Sequence, residues 1–286
     1  MDNKKAIRKA LRLQKLMRNA KKSSPAKIGK ERYIGTSQGN VRVLEYGLDS
    51  PQMTPLYVDM HGGGFVLGSA DMDEPICHAI REATNVKIVS IDYPKAPKNP
   101  YPAALEAIYD IVKYYAENSE KYNIDCNNIG IGGHSAGANF ATVLCIMAND
   151  RGDFALKYQV LDYPPCDLSI SAFDKPCPKG AVPPEMAEMF DICYFNQDKS
   201  LSRLPYVSPI YASHEQLSKM PPALLITAGL DSLHDEGIRY GELLQAAGVS
   251  VELHDFPDSV HGFTCNKTPD AKEGLALIAD FINRHI

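Results

Sequence analysis

Residues 129–137 read Ile-Gly-Ile-Gly-Gly-His-Ser-Ala-Gly, a short β-branched run that ends in Gly-x-Ser-x-Gly and passes straight into an apolar helical pattern. A chain that turns from strand to helix on a single serine holds Ser135 in a strained backbone conformation. Side chains two residues to either side would then collide, and Gly133 and Gly137 remove them. Ser135 is therefore the first candidate for a nucleophile. Ordinary Gly and Ser frequencies produce this pentapeptide by chance in about one chain in ten of this length, so its meaning depends on its surroundings.

Those surroundings alternate between two periods. Residues 28–34 and 41–46 look like an opening hairpin around the turn-forming stretch 37–40, and 56–60 is a strand that stops at His61-Gly62-Gly63-Gly64. A helical segment over 73–83, a strand over 86–91 and a longer helix over 102–122 precede the strand at 129. After it come a helix over 138–148, a strand over 158–161, a strand over 223–228, a helix over 235–247, a strand over 249–253 and a helix over 269–285. Repeated strand–helix units predict a mainly parallel sheet covered on both faces. The alternation breaks once, over residues 164–222, a proline-rich stretch with one expected helix over 184–194 whose Met186, Met189, Phe190 and Cys193 share a face. Insertions of this length in a compact domain are usually lids or binding elements. A stabilising excursion over the sheet edge is the alternative.

The chain of 286 residues is long enough for one large α/β domain. Its net charge of −5 is unevenly placed: residues 1–30 hold 11 Lys/Arg and one acid, and the other 256 hold 19 against 34. The basic segment carries Ile7, Ala10, Leu11, Leu13, Leu16, Met17 and Ala20 at helical spacing. It reads as a helix packing on its own domain, with a membrane-surface segment and a polyanion-binding arm as the competing readings. No stretch reaches the length of an apolar span and no secretory leader is legible, so a cytoplasmic protein without stable membrane insertion or nucleic-acid binding is expected. Seven cysteines without a Cys-x-x-Cys pair suit reduced thiols. No His-Glu-x-x-His pattern or carboxylate cluster has metal-ligand spacing, so no metal or cofactor is expected.

A serine hydroxyl attacks poorly unless an imidazole takes its proton, and that imidazole needs a carboxylate to fix its tautomer. Both stand downstream in the order nucleophile, acid, base. The strand over 223–228 leads to Asp231 just beyond the sheet edge; Asp235 and Glu236 are alternatives better suited to opening the next helix, where acids favour the dipole. His261 sits in the loop eight residues past the last strand, whereas His254 abuts that strand and has little reach. The backbone N–H groups of Gly63, Gly64 and Ala136 are candidates to hold an oxyanion, with Gly62 completing the loop and His61 orienting it.

On these residues the chain resembles the hormone-sensitive-lipase-like branch of the α/β-hydrolases, a group of serine esterases. The glycine loop begins 74 residues before Ser135, Asp231 lies 96 after it and His261 another 30 on; Asp92-Tyr93, Pro102-Ala103-Ala104 and Ser208-Pro209 also fit. The resemblance covers about residues 55–286. It implies an α/β-hydrolase fold with a mostly parallel eight-stranded sheet, one domain over 1–286 and a helical cap formed by about 1–30 and 164–222. It also implies a small-molecule substrate, a short-acyl carboxylic ester cleaved through an acyl-enzyme. An amide, an acetylated sugar or non-catalytic ligand binding are the alternatives, and a homodimer is left open. The chain departs from the family pattern at His134, where Asp is common, at Ala138 for Gly, at Ser232 for Pro, and at Pro94-Lys95 for Arg-Leu.

Overall fold

The structure is a computed structural model that describes residues 2–23, 28–266 and 268–286; residues 24–27 of the expected cap segment 1–30 lie outside the described residues, as do the side chains of residues 20–23. The elements follow in the order α1 (Asn3–Ser23), β1 (Lys30–Thr36), β2 (Gly39–Tyr46), β3 (Thr54–Met60), α2 (Glu74–Ala83), β4 (Lys87–Asp92), α3 (Ala103–Glu117), α4 (Ser119–Tyr122), β5 (Ile124–His134) and α5 (Ala136–Arg151). Then come β6 (Tyr158–Asp162), α6 (Pro184–Tyr194), α7 (His214–Leu217), β7 (Ala223–Leu230), α8 (His234–Ala246), β8 (Val251–Val260) and α9 (Pro269–His285). The strands form one sheet in the order β1-β2-β4-β3-β5-β6-β7-β8. β1 and β2 pair antiparallel, as do β2 and β4, and every later pair is parallel.

Alternation along each strand divides the core between the two faces. Val43 of β2 and Val58 of β3 join Ile91 and Ile131 under α3 and α5. Their neighbours Leu44 and Tyr57 point the other way, into a second cluster with Ile80 of α2 and Phe281 and Ile282 of α9. α5 is buried almost all round, from Ala136 to Ala148, which explains why it shows little amphipathic pattern. A third, smaller cluster joins α1 to α6: Ala6 and Ala10 are fully buried against Met189, Ile192 and Cys193. Gln14 of α1 donates to the carbonyls of Val66 and Ala96 at 2.8 and 2.7 Å. The basic helix thus packs on its own domain, with Lys4, Lys5, Arg8, Arg12, Lys15 and Arg18 facing water. No helix among the described residues is long and apolar enough to cross a membrane.

Several boundaries differ from the sequence reading. The helix expected over 102–122 is two, because the chain breaks at Asn118, and Asn123 closes the second piece in the left-handed region. β5 begins at Ile124, not near 129; its first turn of sequence, Ile-Asp-Cys-Asn-Asn, is polar and reads as loop, yet Ile124 pairs with Thr54 across a register shift. β8 runs on to Val260 rather than ending at Leu253. Pro257 and the acidic residues 255 and 258 mask it, but pairing with β7 persists through Thr227–Asp255, Ala228–Phe256 and, past a bulge, Leu230–Val260. His261 therefore follows its strand directly, and His254 lies within it, opposite Ile226.

Candidate active site

The strand β5, the central β3 and the elbow at Ser135 set the site. Ser135 adopts φ 54°, ψ −120°, a conformation rare for a residue with a side chain, between the last residue of β5 and the first of α5. Its N–H is taken by the Asp162 carbonyl at 2.9 Å, and its own carbonyl accepts from Asn139 at 3.1 Å, so the turn is fixed on both sides. The flanking glycines are required by packing: a Cβ on Gly137 would be driven into the carbonyl of Met60, and one on Gly133 into the same oxygen and into Gly137. Strand β3 and helix α5 approach so closely only because neither position carries a side chain.

Around Ser135 the sheet edge gathers the residues that the sequence singles out. Nε2 of His261 lies 2.9 Å from Ser135 Oγ, and Nδ1 lies 2.6 Å from Asp231 Oδ2. A carboxylate only accepts, so Nδ1 carries the hydrogen and Nε2 is left as the acceptor for the serine hydroxyl. Asp231 is fully buried, receives the Leu233 N–H, and stands directly after β7. The ring of Tyr163 meets His261 edge-on at 4.9 Å. Of the competing acids, Asp235 is exposed and paired with His234, while Glu236 is buried elsewhere.

The glycine loop lines the same cavity as His261. Gly62, Gly63 and Gly64 line it, with Gly63 and Gly64 at φ 125° and 60°. Among the described residues, no backbone carbonyl accepts from the N–H of Gly63 or Gly64. Ala136 does not line the cavity with its side chain, which is fully buried, but its N–H opens α5 ahead of the helical ladder. His61 is buried behind the loop, stacked on Tyr93 at 4.1 Å; its Nδ1 donates to the Gly62 carbonyl at 2.6 Å, and its own carbonyl accepts from the Tyr93 hydroxyl at 2.8 Å. The cavity has a volume of about 420 Å³ and a mostly carbon lining, including Met17 of α1, Leu168 and Ile170, and Met186 and Phe190 of α6. Such a volume suits a small organic molecule.

One feature near the nucleophile is not legible in the sequence. His134 donates from Nδ1 to Asp162 Oδ2 at 2.7 Å, and its Nε2 faces Asp59 Oδ1 at 3.9 Å. Asp73, from the turn before α2, completes the cluster, so that ligand-type atoms of Asp59, Asp73 and His134 lie within 4.8 Å of one another. Asp59 also accepts from Ser90, and Asp162 from Thr264, whose hydroxyl is shared with Tyr163. Burial holds the carboxyls of Asp59 and Asp73 above the usual range, Asp73 at about 8. Burial works against a charge on His134, but its bond to Asp162 and the field of Asp73 outweigh it and raise the imidazole well above its ordinary value. The four residues come from β3, the turn before α2, the end of β5 and the end of β6, and no local spacing links them. The sequence reading of no metal-ligand cluster rested on such spacing, and so it missed this grouping.

The proline-rich segment is pinned at its root. Glu236 accepts from the N–H groups of Cys166 and Asp167 at 2.8 and 3.1 Å and pairs with Lys175. Asn139 of α5 donates to the carbonyls of Pro165 and Val207, and Ser208 binds the Leu168 N–H. Ser232, where the family pattern differs, lines the cavity, and Ala138 is buried in α5.

Known proteins place this arrangement. A family model described as alpha/beta hydrolase fold matches residues 57–265. Esterase LipI of Mycobacterium tuberculosis is 35% identical over 211 residues, 73% of this chain and 65% of that protein. The chain thus spans just under two thirds of that relative. An ethyl acetate hydrolase of Pseudomonas putida is 30% identical over 234 residues, 79% of this chain and 72% of the relative. The crystal structure of an esterase from Pyrobaculum calidifontis superposes with a TM-score of 0.82 at 33% identity, over 99% of this chain and 94% of that one. The resemblance to this fold and family, drawn from the glycine loop, the elbow and the order of the acid and histidine, therefore holds across the sheet as well, and the chain belongs to the hormone-sensitive-lipase-like esterases of the α/β hydrolase fold family.

Proposed function

We propose that the chain is a carboxylesterase acting on short-acyl esters, with Ser135 as nucleophile, His261 as general base and acid, and Asp231 as the group that orients it. One observation carries this reading: the unbroken chain Asp231–His261–Ser135, at 2.6 and 2.9 Å, with the serine raised on a strained elbow into an apolar cavity. The hydroxyl proton passes to His261 Nε2 as Oγ attacks the ester carbonyl. The resulting oxyanion is held by the N–H groups of Gly63, Gly64 and Ala136, each such donor contributing about 3 kcal/mol in known acyl-transfer sites. Collapse expels the alcohol, which takes the proton from His261. Water, activated by the same imidazole, then releases the acid. Asp231 stabilises the imidazolium without itself becoming protonated.

α1 and residues 164–222 act as the cap. Met17 on one side and Met186 and Phe190 on the other bring both segments to the cavity wall, which supports a roof that fixes acyl length. Names such as ethyl acetate hydrolase among the relatives agree with a short acyl group. The seven free cysteines, three of them exposed, suit the reducing cytoplasm.

Ser135→Ala is the direct test. Turnover of p-nitrophenyl acetate should fall by about 10⁶-fold, leaving only binding and oxyanion assistance. Hydrolysis at the wild-type rate would end the assignment. A p-nitrophenyl series from acetyl to dodecanoyl should peak at the short end, because the closed volume is small.

A further inference from the structure

α6 is sandwiched. Met189, Ile192 and Cys193 are buried with Ala6 and Ala10 of α1; Met186 and Phe190 pack on the same cluster at its edge and, with Ala187 and Asp191, line the cavity over Ser135. Four of the ionisable side chains on that cavity wall have partners or a clustered neighbour: His261 has Asp231, His134 has Asp162, Lys175 has Glu236 and the Asp167 carbonyl, and Asp73 belongs to the His134 cluster. Asp191 differs. Among the described residues, no hydrogen bond or ion pair reaches its carboxyl, and Lys175 and Lys199 act on it only through space. Burial pushes it up to about 7, with Lys175 and Lys199 pulling the other way.

We infer that Asp191 is a specificity subsite of this esterase, accepting a hydrogen bond from a hydroxyl group carried by the substrate ester. The inference rests on the carboxylesterase reading and deepens it. Asp191 is half-buried and its carboxyl opens on the cavity, so a substrate held there can bring a donor to it. A hydroxyl fits better than an ammonium for two reasons. A carboxyl that titrates near neutrality can accept from a neutral donor in either protonation state. The carbon lining, in turn, offers a second cation no hydration. Residues Leu168, Ile170, Met186 and Phe190 then hold the hydrocarbon part of the same molecule. A hydroxyl and an alkyl chain in one ester describe hydroxyacyl esters or monoesters of short diols.

Matched esters test this: ethyl butyrate against its β-hydroxy analogue, and butyl acetate against its ω-hydroxybutyl counterpart, each with wild type and Asp191→Leu. A hydrogen bond to a charged acceptor implies that wild type prefers at least one hydroxylated member by about 10- to 100-fold in kcat/KM. Asp191→Leu should bring that ratio near one, and its melting temperature reports that the roof is intact. Wild-type ratios near one for both pairs would overturn the subsite, as would a preference that survives in Asp191→Leu. If neither the plain nor the hydroxylated esters are hydrolysed, the carboxylesterase reading fails instead, and the two failures are thereby separated.

Discussion

Two His–Asp pairs flank Ser135, one brought to it by the fold and one next to it in sequence, and they are built alike. His261 donates from Nδ1 to Asp231 at 2.6 Å; His134 donates from Nδ1 to Asp162 at 2.7 Å. They differ in what faces the far nitrogen. Nε2 of His261 meets a hydroxyl at the rim of a cavity, whereas Nε2 of His134 meets two buried carboxyls. In the proposed mechanism the first ring takes a proton from the serine and returns it to the leaving group. The second is bonded to Asp162, which holds its proton in place, so it serves as a buried positive charge beside that carboxylate. A His–Asp contact alone therefore does not mark a base; the third group decides.

Three substitutions sharpen that contrast. Asp231→Asn should lower kcat by about 10⁴-fold, because an amide can donate to Nδ1 and select the wrong tautomer, with little change in melting temperature. Removing the other ring should reverse the pattern: His134→Ala leaves Asp162 without its partner and should cost about 3–5 kcal/mol in chemical denaturation, the usual result of breaking a buried pair. If instead His134→Ala melts like wild type, the buried-charge role is wrong. The smallest effect belongs to Asp73→Asn. In the folded protein the carboxyl of Asp73 keeps its proton up to about 8, while the unfolded chain releases it near pH 4. Between those values the folded state binds more protons, so this group's contribution to stability falls as pH rises. Asparagine has no proton to lose, and the gap in melting temperature between about pH 5 and about pH 9 should narrow. Equal gaps in the two proteins would remove Asp73 from the account.

The first pair was legible and the second was not, for a physical reason. Ser135, Asp231 and His261 each follow a strand, and a parallel sheet brings strand ends together whatever their distance in sequence. Glycines at 63, 64, 133 and 137 announce close backbone approach in the same way. Asp59 and Asp73 carry no such signal, and Asp162, although it ends β6, has nothing in sequence to tie it to His134. A lone acid in an apolar strand can belong to a core network or to an exposed edge, and only packing tells which. Likewise Glu236, in the first turn of α8, satisfies the dipole rule that the sequence suggests, yet its larger task is to anchor residues 166 and 167, which no local pattern could reveal. The extension of β8 was hidden by Pro257 and its acidic neighbours, since pairing with β7 outweighs their weak strand preference.

Gly64 holds one more consequence. Any side chain there would strike the ring of Phe190 on α6. The loop proposed to hold the oxyanion and the helix that lines the cavity are thus in direct steric register. Breeding a wider pocket by altering residues 164–222 alone frees the loop as well as the substrate, and a bulkier residue at 64 acts as a wedge that lifts the roof. Rate and selectivity in this scaffold share one hinge of contact, so a search for new substrates does best when positions 64 and 190 are varied as a pair.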